Sequence, residues 1–155
     1  MSEYAIPIER FDDAQYIDRR LRVAPESARA SLRTALRYLY SSDGPINLPR
    51  PRLRIAEAYV EPRERILLRW LYTRTNGRLR STYGAKSLIA ARKSRYRCSQ
   101  CGYADVRALH IDHVMGRIKN LECACLCANC HNIKSREMDW SGNRRYLKRN
   151  PSHRY

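Results

Sequence analysis

The sequence predicts an α+β chain: a mostly helical N-terminal region, a short cysteine-bracketed module with strands, and a basic C-terminal tail. Three observations predict it. Apolar residues recur at helical spacing over 25–40 and again over 62–75. All six cysteines fall between Cys98 and Cys130, in two close pairs with two more residues just before the second pair. Between the pairs, apolar and polar residues alternate as they do in half-buried strands.

The elements follow in order. Residues 12–23 mix apolar and charged side chains and read as a short helix. Over 25–40, Pro25 suits a first helical turn and Glu26 favours the positive end of the helix dipole. Leu32, Ala35, Leu36 and Leu39 then form one apolar face, while Arg29, Arg33 and Arg37 recur every fourth residue on another. That arginine stripe suits either a phosphate backbone or plain solvent. Residues 41–51 read as a loop, marked by Ser-Ser-Asp-Gly-Pro and a later Pro-Arg-Pro. Residues 53–60 fit a strand or a short helix equally. Pro62 opens a helix through Thr75 that closes near Gly77, with Leu67, Trp70 and Leu71 buried. A short helix over 85–93 turns Leu88 and Ile89 inward. A last helix starts near Ala128 and runs through Met138. Residues 141–155 carry Arg144, Arg145, Lys148, Arg149 and Arg154 with Tyr146 and Tyr155, a basic tail that is disordered alone and suited to lie on a nucleic acid.

Composition narrows the function class. The chain has 155 residues, 43% of them hydrophobic, enough for one compact domain with a real core. No stretch approaches the ~18 apolar residues of a membrane span, and the first residues lack the features of a signal peptide. A cytoplasmic protein is the expectation. Lys and Arg total 31 against 15 Asp and Glu, a net charge of +16. A polyanionic partner follows, because these cations neutralise phosphates and release condensed counterions. An acidic protein partner would satisfy the same charge. Lysine is confined to Lys86, Lys93, Lys119, Lys134 and Lys148, so the excess is nearly all arginine. Arginine favours bidentate phosphate and guanine contacts.

The cysteine spacing is the sharpest local signal. Cys98-Ser99-Gln100-Cys101 and Cys127-Ala128-Asn129-Cys130 each allow both thiolates of a pair to reach one ion. Two such pairs complete a closed tetrahedral site, whose job is structural and whose metal is zinc. It staples a module of about 50 residues that would bury too little apolar surface by itself. Cys123 and Cys125 lie on one face of the alternating run 121–126 and read as small buried residues, or as a second metal site.

The remaining chemistry lies between the pairs. Alternation over 109–114 puts His110 and Asp112 on one strand face and His113 on the other. Asp112 is a hard oxygen ligand suited to Mg2+ or Mn2+. His113, with an ordinary pKa near 6.5, suits deprotonation of water. His131 follows the last cysteine directly, so the zinc knuckle would fix its position.

Together, Cys98-x2-Cys101, Leu-His-Ile-Asp112-His113-Val, Asn120-Leu121 and Leu126-Cys127-x2-Cys130-His131-Asn132-x-Lys134 resemble the HNH nucleases of the ββα-metal fold, over roughly a quarter of the chain at 97–134. The resemblance implies a β-hairpin packed on a helix with one catalytic divalent ion, Mg2+ or Mn2+, at their junction. It implies His113 as general base, Asp112 and His131 as ligands of that ion, and Asn120 as the residue that orients the base. Asn120 lies further before its cysteine than the commonest pattern has it, which leaves Asn129 and Asn132 as alternatives. His110 is expected to support the site from behind the ligands.

The expected organisation is a DNA-gripping helical region over 1–90, an HNH module with its four-cysteine zinc site over 91–140, and the tail over 141–155. Arg29, Arg33, Arg37, Lys134, Arg136, Arg144 and Arg145 are the expected nucleic-acid contacts. The function this implies is a metal-dependent endonuclease of double-stranded DNA that leaves 5′-phosphate and 3′-hydroxyl ends, with a homodimeric, sequence-specific restriction-type enzyme favoured. A homing or phage packaging-associated nuclease is the alternative within that class. Outside it stands a non-catalytic zinc ribbon that binds nucleic acid.

Overall fold

A computed structural model describes residues 2–44, 46–75, 82–113 and 123–141. Among them the chain is α+β, with seven helices and one two-stranded antiparallel sheet. The helices are α1 (Glu9–Asp12), α2 (Tyr16–Val23), α3 (Glu26–Tyr40), α4 (Arg50–Ala56), α5 (Pro62–Thr75), α6 (Thr82–Lys93) and α7 (Ala128–Ser141). The strands β1 (Leu109–His113) and β2 (Cys123–Cys127) lie between α6 and α7. The basic tail from residue 142 onward lies outside the described residues, as does Gly77.

The centre of the helical region is α3. Leu32, Ala35, Leu36 and Leu39 are buried as their spacing predicts, and Tyr38 joins them. Pro25 stands at the N-cap rather than within the first turn. The ambiguous stretch 53–60 proves helical: Pro49 caps α4 and Pro51 occupies its first turn, where a missing N–H costs nothing. The predicted loop therefore ends sooner than its prolines suggested. The predicted helix over 12–23 starts later, as α2 at Tyr16, and the separate short helix α1 precedes it; between them the Asp13 carboxylate accepts from the Gln15 N–H. In α6, Leu88 is buried but Ile89 is 44% exposed, which corrects the inward assignment of Ile89. Neighbours in a helix are 100° apart, and α6 buries the Ser87, Leu88 and Ala91 face instead.

Three polar devices tie these helices together. Glu64 is wholly buried and accepts from Tyr16 (2.6 Å), Tyr40 (2.9 Å), Arg10 (2.9 Å) and Arg20 (3.1 Å). It also reaches back to the Glu61 N–H at 3.0 Å, capping the start of α5. Arg92, buried on α6, donates to the carbonyls of Tyr38, Asp43 and Gly44 at 2.8–3.0 Å and so satisfies the C-terminal end of α3. Finally, Arg95 and Tyr96 both adopt left-handed backbone angles (φ 52° and 56°). Such angles cost a non-glycine residue roughly 1 kcal/mol or more. Tyr96 is fully buried and its hydroxyl donates to the Leu39 carbonyl, while Arg95 pairs with Asp12 at 2.8 Å. These contacts hold the strained turn, which delivers the chain from α6 to Cys98.

One core cluster runs through both halves, from Ile6, Leu36 and Leu71 to Val106, Leu109, Cys125 and Leu126. The Trp70 indole N–H donates to the Leu109 carbonyl at 3.2 Å, fastening α5 to the start of β1. No described helix is long and apolar enough to cross a membrane.

Candidate metal centre and the β-hairpin–helix junction

The two cysteine pairs converge. The sulfurs of Cys98, Cys101, Cys127 and Cys130 all lie within 4.8 Å of one another. Cys101 and Cys127 are 3.7 Å apart, close to the ~3.8 Å edge of a tetrahedron built on zinc–sulfur bonds of ~2.3 Å. Local hydrogen bonds shape the first knuckle. Cys98 N–H donates to the Tyr103 carbonyl at 2.8 Å, and Gly102 N–H donates to the Cys98 carbonyl at 2.9 Å. Gly102 takes a left-handed φ of 75°, which its missing side chain permits without strain. The Ser99 N–H donates to the Cys125 carbonyl at 2.8 Å and binds this knuckle to β2.

The electrostatics of the cluster call for a cation. Burial pushes the Cys98 thiol up, but backbone N–H groups from Cys127, Cys101 and Gln100 outweigh it and hold the pKa at about 6. Hydrogen bonding with Cys127 and the other neighbouring thiols pushes Cys130 up to about 12. Four thiolates at this separation repel one another, so all four ionise together only around a bound metal ion. This donor set fits structural zinc. Cys125 is buried and Cys123 half-buried, both outside the cluster. Cys123 lies 3.9 Å from the Ser87 hydroxyl on α6.

The hairpin places the other candidates. Its register pairs Leu109 with Cys127, Ile111 with Cys125, and His113 with Cys123, on the side where α6 packs. His110 pairs with Leu126 and Asp112 with Ala124, on the side that α7 covers. Because α7 begins immediately after the last residue of β2, the cysteines at its start anchor its first turn to the hairpin. His131 and Lys134, three residues apart, share one face of that helix.

Three side chains meet there. Asp112 Oδ1 lies 3.7 Å from His131 Nε2, and Asp112 Oδ2 accepts from Lys134 Nζ at 2.6 Å. The same ammonium donates to the backbone carbonyl of His113. His110 stacks on His131, with ring centroids 5.4 Å apart and planes 16° from parallel. Asp112, His113, His131 and Lys134 are all half-buried, so the group is reachable from solvent. Adjacent ligands of a six-coordinate Mg2+ lie ~3 Å apart, and the Asp112–His131 separation is somewhat wider. Asp112 and His131 offer two potential donors, one carboxylate oxygen and one imidazole nitrogen, with the carboxylate also engaged by Lys134.

The structure thus joins Asp112, His131 and Lys134 through side chains, and draws in His113 through its carbonyl. Asn120 lies outside the described residues, and Arg144 and Arg145 do too. Asn129 and Asn132 are exposed on α7, as is Arg136. Arg29, Arg33 and Arg37 are exposed on α3; Arg29 donates to the Ala24 carbonyl at 3.1 Å and Arg37 pairs with Asp43 at 3.3 Å. Sequence reasoning missed the inward turn of Lys134, which it offered only to phosphate. The three-residue offset from His131 was the available signal. Comparison of the chain with protein-family models, curated proteins and solved structures found no match.

Proposed function

We propose that this chain is a metal-dependent DNA endonuclease of the HNH kind, with double-stranded DNA as substrate. The observation that carries the reading is the meeting of Asp112 on β1 with His131 on α7, 3.7 Å apart, at a hairpin–helix junction pinned by four converging cysteines. A binding ribbon needs the cysteines but has no use for a carboxylate facing an imidazole beside a second histidine.

In this reading Asp112 and His131 hold Mg2+ or Mn2+, and zinc on the four cysteines is purely structural. When bound, the divalent ion supplies Lewis-acid stabilisation of charge on the phosphate and the leaving 3′ oxygen. His113 ends β1 on the hairpin face opposite Asp112. Its role as the base that takes the proton from the attacking water therefore rests on the resemblance, and requires the strand end to turn its ring towards the ion. The water oxygen bonds to phosphorus, the bond to the 3′ oxygen breaks, and that oxygen leaves with its electron pair and is protonated by solvent. The ends are then 5′-phosphate and 3′-hydroxyl. Asn120 orients His113 by the resemblance alone. The exposed arginines Arg29, Arg33, Arg37 and Arg136, with the tail's Arg144 and Arg145, supply sequence-independent phosphate contacts. A restriction-type homodimer follows if the recognition sequence is palindromic.

A non-catalytic zinc ribbon that binds nucleic acid is the second reading, and one observation favours it: Lys134 already neutralises Asp112, as in an ordinary structural ion pair. Plasmid DNA incubated with the purified protein and Mg2+ separates the two. The nuclease reading expects nicked or linear product, reduced about 10²–10⁴-fold by His113→Ala. DNA binding without cleavage by the zinc-loaded protein would establish the ribbon, and undiminished cleavage by His113→Ala would remove His113 from the mechanism.

A further inference from the structure

We infer that Lys134 is a built-in counter-ion for the divalent-ion site, holding the place of that ion until metal and phosphate arrive together. The inference rests on the nuclease reading and concerns how its metal site is regulated.

The geometry points to it through the atoms Lys134 chooses. Its ammonium donates to Asp112 Oδ2 at 2.6 Å and also to the carbonyl oxygen of His113. A carboxylate oxygen and a backbone carbonyl oxygen are the hard donors that Mg2+ or Mn2+ selects. The ammonium therefore takes on the same oxygens the role a divalent cation would take. Asp112 turns its other oxygen to His131, so its two oxygens are divided between the ammonium and the imidazole. Lys134 is 24% exposed and Asp112 20% exposed at the side chain, which shields the pair from solvent without sealing it. A lysine stem is long and flexible, so the ammonium can leave Asp112 and reach a phosphate oxygen without movement of α7.

Two consequences follow. Metal must displace an ammonium to bind Asp112, so the free protein holds divalent ions weakly. Phosphate draws the ammonium away, so nucleic acid and metal favour each other's binding, and reciprocally by linkage. The site is then loaded chiefly on its substrate.

The test is Mn2+ binding without DNA, read as free Mn2+ by electron paramagnetic resonance. It compares the zinc-loaded wild-type protein with Lys134→Met, Lys134→Arg and Asp112→Asn. Lys134→Met is expected to bind Mn2+ about tenfold more tightly, Lys134→Arg to resemble wild type, and Asp112→Asn to lose the site. A folded Lys134→Met protein with unchanged or weaker Mn2+ affinity overturns the inference. If that variant does not fold, the wild-type protein still decides. With so few lysines in the chain, the Lys134 side-chain nitrogen can be followed by NMR during a Mg2+ titration. Its signal is expected to leave the ion-paired position as metal binds, and a signal that stays put overturns the inference. Wild-type Mn2+ binding that Asp112→Asn abolishes, with no gain in Lys134→Met, defeats this inference and spares the nuclease reading. No Mn2+ binding even in Lys134→Met defeats this inference, and plasmid cleavage then decides the nuclease reading separately.

Discussion

Two carboxylates in this molecule sit at opposite extremes. Glu64 in the helical region is wholly buried, and four side-chain donors plus a backbone N–H surround it. Asp112 at the hairpin–helix junction keeps a fifth of its side-chain surface exposed and meets one close ammonium and one more distant imidazole. Both belong to ion pairs, yet their environments suit different work. Every lone pair of Glu64 is committed to protein donors, so the group is a fastener between α1, α2, α3 and α5. Asp112 has fewer and looser partners, and it can exchange them for an ion.

Removing zinc is the change expected to have the largest effect. Structural zinc contributes roughly 10 kcal/mol or more to small zinc-dependent folds. Chelation, or Cys127→Ser, should therefore unfold the hairpin and α7, abolishing Mn2+ binding at Asp112 and leaving much of the helical signal in circular dichroism. Retention of a folded junction without zinc would mean that the shared apolar core alone positions Asp112 and His131.

The two carboxylates can be compared directly by mutation. Glu64→Ala removes the buried partner of Arg10 and Arg20, whose side chains are 10% and 18% exposed, and leaves the outer carboxylate of Glu61 as their only acidic partner. The expected cost is about 3–5 kcal/mol in denaturant unfolding. Asp112→Ala removes a partner that solvent still reaches and should cost no more than about 1 kcal/mol. Equal losses would erase the distinction drawn between a fastener and an exchangeable ligand.

Asp105 provides a smaller effect than Glu64, and a pH signature. The Arg107 guanidinium leads the causes that hold its pKa at about 2, with the Arg107 N–H and the Ser2 hydroxyl adding to it. A folded-state pKa below the unfolded value means the carboxylate stabilises the fold above pH ~4, and that this contribution is lost as pH falls towards 2. The expected loss is on the order of 1–2 kcal/mol, because Arg107 is largely exposed. Asp105→Asn should flatten that part of the acid unfolding curve. An unaltered acid limb would show that Ser2 and Arg107 do not bind Asp105 in solution.

Much of this architecture is legible in the order of residues, because it depends on short-range patterns. The apolar spacing of α3 and α5, the strand alternation at Asp112 and the two knuckles each lie within a few residues of chain. Proline position explains why α4 is ambiguous in sequence: Pro49 and Pro51 signal a break equally well at a loop or at a helix start. Ile89 is misassigned by its spacing because one helical period leaves a choice of face, and packing against α5 and β2 makes that choice.

By itself, then, the sequence determined the α+β class, the four cysteines and the candidate set Asp112, His113 and His131. Tertiary structure alone decided which carboxylate is sealed and which is open. Glu64 meets Arg10, and Asp112 meets Lys134, across 54 and 22 residues of chain. Such pairings depend on how α5 lies against α2 and α3, and on how zinc-ready cysteines dock α7 on the hairpin. Local patterns carry no record of them, because an ionisable side chain looks the same in sequence whether its partners are water, an arginine cage or a single lysine.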